Sequence, residues 1–229
     1  MIMLRWTLVS LQKIWSFILP LSIKKFRSPI NGDMRVQMID GVKRLDSKNS
    51  NYSFGSITEI LKTWLKHIAF DHSTERILLL WLGGGSVIQT LRETLKSEAY
   101  IEAVDIDPQI IAIAKSEFGL DRFSNVHIVE ADALVYICDT WGVFDLIIID
   151  LFINNVTPDI FTQKEFIAWL VGHLSPSGKV IFNMMRKTMQ DVGRERIKEH
   201  FVALGLEVEI LEEVRGTNDL VIARRKEEW

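Results

Sequence analysis

The stretch "LLLWLGGGSVIQTLRE", residues 78–93, sets three consecutive glycines between an apolar run and a segment with helical spacing. Glycine weakens both helices and strands, so such a run costs stability unless something must approach the backbone closely. The apolar run predicts a buried strand, and the segment after the glycines predicts a helix whose first N–H groups are free donors. The glycine loop, Gly83–Gly85, is therefore a candidate ligand site, although tight packing of helix on strand would also explain it.

Strands and helices alternate along the chain from residue 76 onward. The predicted strands are RILLLWLG, YIEAVDID, NVHIVEAD, FDLIIIDLF, GKVIFNMM, LEVEIL and the run that ends in LVIARR, with helical segments between the first six. This alternation is typical of a parallel sheet covered by helices on both faces. Only the short turn EEVRGTND separates the last two strands, so they must pair antiparallel, because a parallel pair needs a long crossover. The sequence predicts an α/β fold whose mainly parallel seven-stranded sheet ends in an antiparallel C-terminal hairpin.

Residues 1–55 are predicted to form a small N-terminal helix and β-hairpin ahead of this domain, which spans residues 56–229. The hairpin is indicated by "MRVQMIDGVKRLD", residues 34–46, in which Asp40-Gly41 suits the positive φ angles of a type I′ turn. An amphipathic helix before it would end at Pro20. Its apolar face is formed by Leu4, Leu8, Leu11, Trp15 and Ile18.

Two interpretations of that apolar face remain open. It packs on this domain or on a partner subunit, as in a homodimer, or it lies on a membrane surface. The longest uncharged run, residues 14–23, is too short to cross a bilayer as a helix. No signal-peptide cleavage pattern follows it, and we expect a cytoplasmic protein.

Composition narrows the possible functions. The net charge of −3 gives no indication of nucleic-acid binding, which usually leaves a strongly basic footprint. The single cysteine, Cys138, excludes an intramolecular disulfide and a multi-cysteine zinc site, and its apolar surroundings predict a buried position. The five histidines lack metal-ligand spacing, so no metal is expected.

Two aspartates follow the second predicted strand. Asp105 comes twenty residues after Gly85, the spacing at which an acidic side chain meets ribose hydroxyls in nucleotide-binding βαβ units. Asp107 is more simply the N-cap of the helix that begins at Pro108.

Two further aspartates end the third and fourth strands. Asp132 could accept a hydrogen bond from the exocyclic amine of an adenine, or it could cap the following helix. Asp150 ends the most apolar strand, LIIID, and is the best catalytic candidate, because ligands of such sheets bind at the carboxyl ends of the strands. Burial beside apolar neighbours would raise the pKa of Asp150. Alternatively, its carboxylate could only orient a substrate amine.

The sequence of the glycine loop does not match the motif of NAD-binding proteins. The dinucleotide fingerprint G-x-G-x-x-G/A fits Gly83 and Gly85, but Ile88 stands at its third small position. The antiparallel terminal hairpin also departs from the dinucleotide-binding fold. An adenosyl ligand without a pyrophosphate explains the glycines better.

The quoted strands and loops, together with "IFTQKEF" after Asp150 and "LSPSGKVIFN", resemble the Rossmann-like fold of class I S-adenosylmethionine-dependent methyltransferases, in its spermidine-synthase-like branch. The resemblance covers roughly residues 34–225. It implies S-adenosylmethionine, or decarboxylated S-adenosylmethionine, as the cofactor, with no metal. It implies Asp150 as the catalytic residue and a cofactor site formed by Gly83, Gly84, Gly85, Ser86, Asp105, Ile106, Asp132 and Ala133.

The chain also departs from that branch. Ser86 and Val87 follow the glycines where spermidine synthases usually read GGGDGG, and Ile153 replaces a second aspartate three residues after Asp150. Losing that carboxylate removes a partner for a polyamine cation. The tyrosine of the branch would fall on Tyr52 or Phe54.

These departures lead to three predicted functions. The first is an S-adenosylmethionine-dependent methyltransferase that acts on a small molecule. Asp150 would orient or deprotonate the nucleophile. The acceptor site would include residues from the set Tyr52, Phe54, Asn154 and Asn155. The alternatives are an aminopropyltransferase using decarboxylated S-adenosylmethionine, and a non-catalytic adenosyl-binding or scaffold protein. Binding preference for the two adenosyl ligands would separate the first two, because decarboxylation removes the carboxylate that the glycine loop would meet.

Overall fold

Two β-sheets organise the protein. We describe them from a computed structural model of the chain, in which the described residues are 11–47, 56–68, 70, 72–152, 156–186, 191–214 and 216–226. The strands are β1 (Leu21–Ser28), β2 (Gly32–Ile39), β3 (Val42–Ser47), β4 (Arg76–Leu80), β5 (Tyr100–Asp105), β6 (Val126–Glu130), β7 (Phe144–Ile149), β8 (Leu174–Met185), β9 (Leu206–Val214) and β10 (Asn218–Arg225). The helices are α1 (Ser56–His67), α2 (Ser86–Gln89), α3 (Pro108–Phe118), α4 (Ala133–Asp139), α5 (Lys164–Gly172) and α6 (Asp191–Ala203).

The large sheet has seven strands in the order β6-β5-β4-β7-β8-β10-β9. Strands β4 to β8 pair in parallel, whereas β10 runs antiparallel to both β8 and β9. The predicted α/β fold with an antiparallel C-terminal hairpin is confirmed. The chain leaves β4 for β5 and β6 on one side and returns to β7 on the other, so the switch point lies between β4 and β7, where ligands of open α/β sheets bind.

The small sheet has the order β1-β2-β3 and is antiparallel throughout. The predicted hairpin over residues 34–46 is confirmed, with positive φ at Asp40 (52°) and Gly41 (75°) as a type I′ turn requires. Strand β1 was not predicted, because its charged residues conceal the alternation and the apolar segment before it reads as helix.

Helix α3 is apolar on two sides because it lies between the two sheets. Ile111 and Ala114 join the core on the large sheet. Ile110, Ile113 and Phe118 instead pack with the small sheet's Met34, Val36 and Leu45. A wide apolar stripe is expected on a helix that packs against two sheets, and Gln109, Lys115 and Ser116 on the remaining side are exposed. This packing holds the small sheet next to the carboxyl end of β5.

The segment before β1 is only partly helical. Residues 11–15 form helix and residues 16–18 form turns. Leu11, Trp15 and Ile18 are more than half exposed, so these three residues of the predicted apolar face do not pack on this domain. Leu4 and Leu8 lie outside the described residues, and packing on a partner subunit or on a membrane surface stays a prediction. Among the described residues, no helix is long and apolar enough to span a bilayer.

Cys138 corrects another expectation. It is exposed on α4, although the apolar surroundings predicted burial. Only Ala133 and Ile137 of this helix are buried against the large sheet, while Val135 faces solvent. The apolar content of a short helix therefore does not decide which of its side chains are covered.

Candidate active site

The glycine loop is held by the carboxylate of Asp105. Oδ2 accepts hydrogen bonds from the backbone N–H of Leu82 and of Gly83, both at 3.2 Å. Oδ1 accepts from the N–H of Asp107 at 2.9 Å. A carboxylate offers about four acceptor positions, so the backbone takes most of them. Asp105 therefore ties the end of β5 to the end of β4, and its predicted contact with a ribose stays a prediction.

Asp105 is 4% exposed, and burial raises its pKa to about 6. The three backbone N–H groups act in the opposite direction, because they stabilise the ionised form. Desolvation is the larger effect. The loop is thus fastened by a carboxylate that takes up a proton in mildly acidic solution.

Gly85 is explained by packing as much as by any ligand. Its φ is +78°, which L side chains rarely adopt, and an added Cβ would lie 2.4 Å from Cδ1 of Leu120. All three glycines of the loop are buried. The alternative explanation of the glycine run, close packing around the strand end, therefore applies at Gly85.

Asp107 and Asp132 are both N-caps. Oδ1 of Asp107 accepts from the N–H groups of Gln109 and Ile110 and caps α3, which confirms its predicted role. Oδ1 of Asp132 accepts from the N–H groups of residues 134 and 135 and caps α4. The N-cap alternative for Asp132 is confirmed, and its contact with adenine stays a prediction.

Asp107 also forms hydrogen bonds with the β1–β2 turn. Its Oδ2 accepts hydrogen bonds from the hydroxyl of Ser28 and from Nδ2 of Asn31, the latter at 2.7 Å. The Ser28 hydroxyl oxygen in turn accepts from the N–H groups of Ile30 and Asn31. The β1–β2 turn is thereby fastened beside the carboxyl end of β5.

A pocket of about 130 Å³ opens at this edge of the large sheet. It brings together four of the predicted cofactor residues, Asp105, Ile106, Asp132 and Ala133. Apolar residues that follow β4 and β7, and the β1–β2 turn, form the rest of the wall. The volume is below the roughly 300–1,000 Å³ of pockets for drug-sized ligands. The walls are mainly apolar, and the carboxyl groups of Asp105 and Asp132 are the charged groups among them.

Trp81 and Phe152 are pocket residues that the sequence did not single out. Trp81 follows β4 directly and has a φ of 96°, which is strained for a bulky residue. Its ring meets that of Phe152 edge to face, with centroids 6.4 Å apart. Strained backbone of this kind concentrates at functional sites. A tryptophan two residues before the glycine run is the sequence feature that could have identified Trp81.

Asp150 lies at the end of a buried polar chain. Its Oδ1 accepts from Nδ2 of Asn183 on β8 at 2.6 Å. Oδ1 of Asn183 accepts from Nδ2 of Asn218 on β10 at 2.9 Å. Asn218 fixes the orientation of the Asn183 amide, so that the NH₂ group faces the carboxylate. We call these three residues, Asp150, Asn183 and Asn218, the polar relay.

Burial raises the pKa of Asp150 to about 6, and the hydrogen bond from Asn183 partly opposes that effect. Asp150 and Asn183 are each 3% exposed. A carboxylate with this pKa is mainly ionised at neutral pH and still accepts a proton readily, which suits a general base. The sequence feature that could have identified Asn183 is an asparagine within the apolar strand VIFNMM.

The predicted acceptor residues Tyr52, Phe54, Asn154 and Asn155 lie outside the described residues. Ser86 begins α2 directly after the loop and is buried. In the part of the chain that the structure describes, no group of three or more His, Cys, Asp or Glu could hold a metal ion.

The seven-stranded sheet with its antiparallel terminal hairpin defines a Rossmann-like methyltransferase fold, and the largely apolar pocket lies at the carboxyl ends of its strands. The Spermine/spermidine synthase domain matches residues 58–201. Because this match covers more than half of the chain, the chain belongs to the spermine/spermidine synthase domain family.

Individual relatives carry two kinds of activity in their names. The chain is 34% identical over 123 residues to a polyamine aminopropyltransferase of Vibrio vulnificus, covering 52% of this chain and 40% of the relative. It is 27% identical over 121 residues to the human eEF1A lysine and N-terminal methyltransferase, covering 48% of this chain and 17% of the relative. The chain thus spans less than half the length of these curated relatives.

A solved structure shares the fold over nearly the whole chain. It is the crystal structure of a probable spermidine synthase from Corynebacterium glutamicum, with a TM-score of 0.66 and 19% identity. The likeness covers 91% of this chain and 81% of that one.

Proposed function

We propose that the chain is a transferase that binds an adenosyl sulfonium cosubstrate at the carboxyl ends of β4, β5 and β6 and acts on a small-molecule acceptor next to Asp150. The observation that carries this proposal is the pocket at the switch point. It combines apolar walls with Asp105 and Asp132 and adjoins the strand end of Asp150. The family and both named relatives, all of transferase type, support the same proposal.

Each pocket residue would contact a different part of the cosubstrate. Ile106 and Ala133 would contact the nucleobase, Asp132 its amine through the oxygen not used in capping, and Asp105 the ribose. When bound, the cosubstrate supplies a carbon on a cationic sulfur, and transfer breaks that C–S bond, leaves its electron pair on sulfur and forms a bond to the nucleophile. Asp150 would orient the nucleophile and take up the proton that it loses. Alignment of this kind needs little other acid–base chemistry.

Aminopropyl transfer to an amine is the first candidate for the reaction. The sequence favoured methyl transfer, but the family match and the relative from Vibrio vulnificus support aminopropyl transfer better. In this reaction the cosubstrate would be decarboxylated S-adenosylmethionine. An ionised Asp150 would attract the amine as its ammonium and accept one proton from it, which frees the nitrogen lone pair that then attacks the carbon on sulfur.

Methyl transfer is the second candidate, and a specific observation favours it. The position three residues after Asp150 is Ile153, so a second carboxylate for a polyamine cation is missing there. The human methyltransferase relative is consistent with this candidate. An acceptor with fewer positive charges than a polyamine would then be expected.

Calorimetry tests the proposal and separates the candidates. Purified protein is titrated with S-adenosylmethionine, S-adenosylhomocysteine, decarboxylated S-adenosylmethionine and NAD. Preference for the decarboxylated ligand supports aminopropyl transfer, and preference for the two ligands with a carboxylate supports methyl transfer. Asp105→Ala and Asp132→Ala should each weaken binding, whereas Asp121→Ala, on an exposed turn, should not.

Turnover is tested with the ligand that binds best. Transfer of its labelled methyl or aminopropyl group to a small-molecule acceptor would support an enzyme, and loss of that transfer in Asp150→Asn would support the role of Asp150. Binding without transfer would favour the non-catalytic alternative. Binding of none of the adenosyl ligands would refute the proposed site.

A further inference from the structure

An exposed apolar segment precedes the small sheet. We define the apolar segment as residues 11–19. Its six large hydrophobic side chains are between 53% and 67% exposed, namely Leu11, Ile14, Trp15, Phe17, Ile18 and Leu19. Contiguous exposed hydrophobic surface of this kind marks an interaction site in a protein that is otherwise well packed.

The apolar segment is fixed to the small sheet at its middle. The hydroxyl of Ser16 donates to the carbonyl of Lys13 and accepts from the N–H of Gly41, at 2.7 and 2.8 Å. The N–H of Asp40 donates to the carbonyl of Ser16 at 3.0 Å. A methyl group at Gly41 would lie only 2.9 Å from the Phe17 ring. The β2–β3 turn therefore holds the segment in place while its other side chains face solvent.

The surrounding region is basic although the chain is acidic. Residues 11–47 contain seven Lys or Arg and three Asp or Glu, whereas the whole chain has 27 and 30. Lys25, Arg27 and Arg35 are exposed on the face of the small sheet that points away from α3. By register, Lys25 lies opposite Arg35, and the same face also carries Asp33 opposite Arg27 and Asp46 opposite Arg35. Arg27 and Asp33 lie beside the β1–β2 turn, at the end of the sheet away from the β2–β3 turn that holds the apolar segment. Over residues 11–47 as a whole, cations outnumber carboxylates, so this face carries an excess of positive charge.

These observations favour one occupant for the surface. Exposed tryptophan, phenylalanine and isoleucine beside lysine and arginine are typical of segments that lie in the interface of a bilayer. A second copy related by a two-fold axis would bring two surfaces that each carry an excess of cations together, which costs energy. An anionic lipid surface satisfies both the apolar side chains and the cations.

We propose that the apolar segment and the basic outer face of the small sheet bind an anionic membrane surface. The apolar side chains of residues 11–19 enter the headgroup region, and Lys25, Arg27 and Arg35 contact lipid phosphates. The protein would then be peripheral, with its large sheet outside the bilayer. This inference does not depend on the proposed transferase activity.

Vesicle sedimentation tests the proposal with the full chain. The protein should sediment with vesicles of equal parts phosphatidylcholine and phosphatidylglycerol, and at least tenfold less with phosphatidylcholine alone. Binding should fall in about 1 M NaCl, where charges are screened beyond about 3 Å. The variant Trp15→Ser/Phe17→Ser/Ile18→Ser should lose binding, and circular dichroism should show that it stays folded, because these side chains are exposed. Trp141→Ser, at an exposed tryptophan of the large domain, is the control and should bind as before.

Two charge-reversal double variants distinguish binding to anionic lipid from nonspecific adsorption to vesicles. Lys25→Glu/Arg27→Glu should abolish the preference for the anionic vesicles, whereas Lys66→Glu/Lys198→Glu should retain it. Equal binding to both vesicle types, or binding unchanged by the serine variant, would overturn the proposal. So would failure to bind vesicles combined with a homodimer that the serine variant converts to a monomer, since the segment would then cover a second copy.

Discussion

Asn183 donates its amide to Oδ1 of Asp150 at 2.6 Å across neighbouring strands of the large sheet, and both side chains are almost fully buried. A buried carboxylate without a charged partner is stabilised in its ionised form only by such donors. The hydrogen bond therefore sets how far burial raises the pKa of Asp150. Asn218 holds the donor in orientation from the next strand.

The first prediction concerns this pair. In Asn183→Leu the ionised form of Asp150 loses its donor, so its pKa should rise further above about 6. A hydrogen bond to a charged group contributes about 1.5–3 kcal/mol, which corresponds to a rise of about one to two pKa units. Carbon-13 NMR of labelled aspartate carboxyls, titrated between acidic and alkaline pH, measures it.

Asn218→Leu is the graded control for this prediction. It leaves Asn183 in place but removes the group that orients the Asn183 amide, so it should produce a smaller rise in the same direction. An Asp150 pKa that stays the same in Asn183→Leu would mean that the relay has no influence on the carboxylate. If transfer activity is found, its acid limb should move to higher pH in both variants.

The second prediction concerns stability against pH. The folded-state pKa of Asp150, about 6, lies above its ordinary value of 3.8, so the folded protein binds a proton more tightly than the unfolded chain. Asp150 thus stabilises the fold fully below about pH 4, and this contribution is lost as pH rises through about 6. Asp150→Asn stays neutral and accepts the same hydrogen bond from Asn183. Its stability relative to wild type should rise with pH, by at most about 3 kcal/mol between pH 4 and 7.

Urea unfolding at several pH values measures this difference. Asp121→Asn, at an exposed position, is the matched control and should change stability little. Asp105 gives a slope of the same sign, because burial raises its pKa to about 6 as well, and it remains in the Asp150→Asn variant. A pH-independent difference between Asp150→Asn and wild type would contradict the elevated pKa of Asp150.

Short-range sequence patterns predicted the helix cap and the hairpin turn, whereas the polar relay depends on the register of the large sheet. The N-cap at Asp107 and the turn at Asp40-Gly41 depend on residues within three or four positions, so the sequence was sufficient. The polar relay joins residues that are far apart in sequence, and β8 and β10 bring them together through their register. No periodicity within one strand could show that Asn183 faces Asp150.

The glycine loop shows a different limit of sequence-based prediction. The run was interpreted as ligand-binding or as packing, and only the structure shows Leu120 against Gly85. The position of β1 was missed for a related reason. Its lysines and arginines project from an edge strand, where charge discourages pairing with other chains, and they conceal the inward residues.

The third prediction concerns Gly85. Gly85→Ala places a Cβ against Leu120 and forces a positive φ on alanine, so we expect a loss of about 2 to 4 kcal/mol in the free energy of unfolding. Gly172→Ala, in α5, has open space at its Cβ and should be neutral or gain up to about 1 kcal/mol. Urea unfolding of the two variants gives the comparison.

A double variant separates the steric clash from the backbone strain. Leu120→Ala removes the clashing side chain, so Gly85→Ala should cost at least about 1 kcal/mol less in that background than in wild type. Equal costs in both backgrounds would show that the positive φ alone makes glycine necessary at this position.

The last prediction concerns the junction between the two sheets. Asp107→Ser keeps an N-cap for α3 but is too short to accept from Ser28 and Asn31, so the β1–β2 turn should open more often. Losing buried partners costs about 1–3 kcal/mol, and the amides of Ile30 and Asn31 should exchange about ten to a hundred times faster. Hydrogen exchange followed by NMR measures these rates. Asp132→Ser, which alters the matching N-cap of α4 without touching the small sheet, should leave them unchanged. The same acceleration in both variants would mean that helix capping, rather than the hydrogen bonds to Asp107, holds the turn beside the pocket.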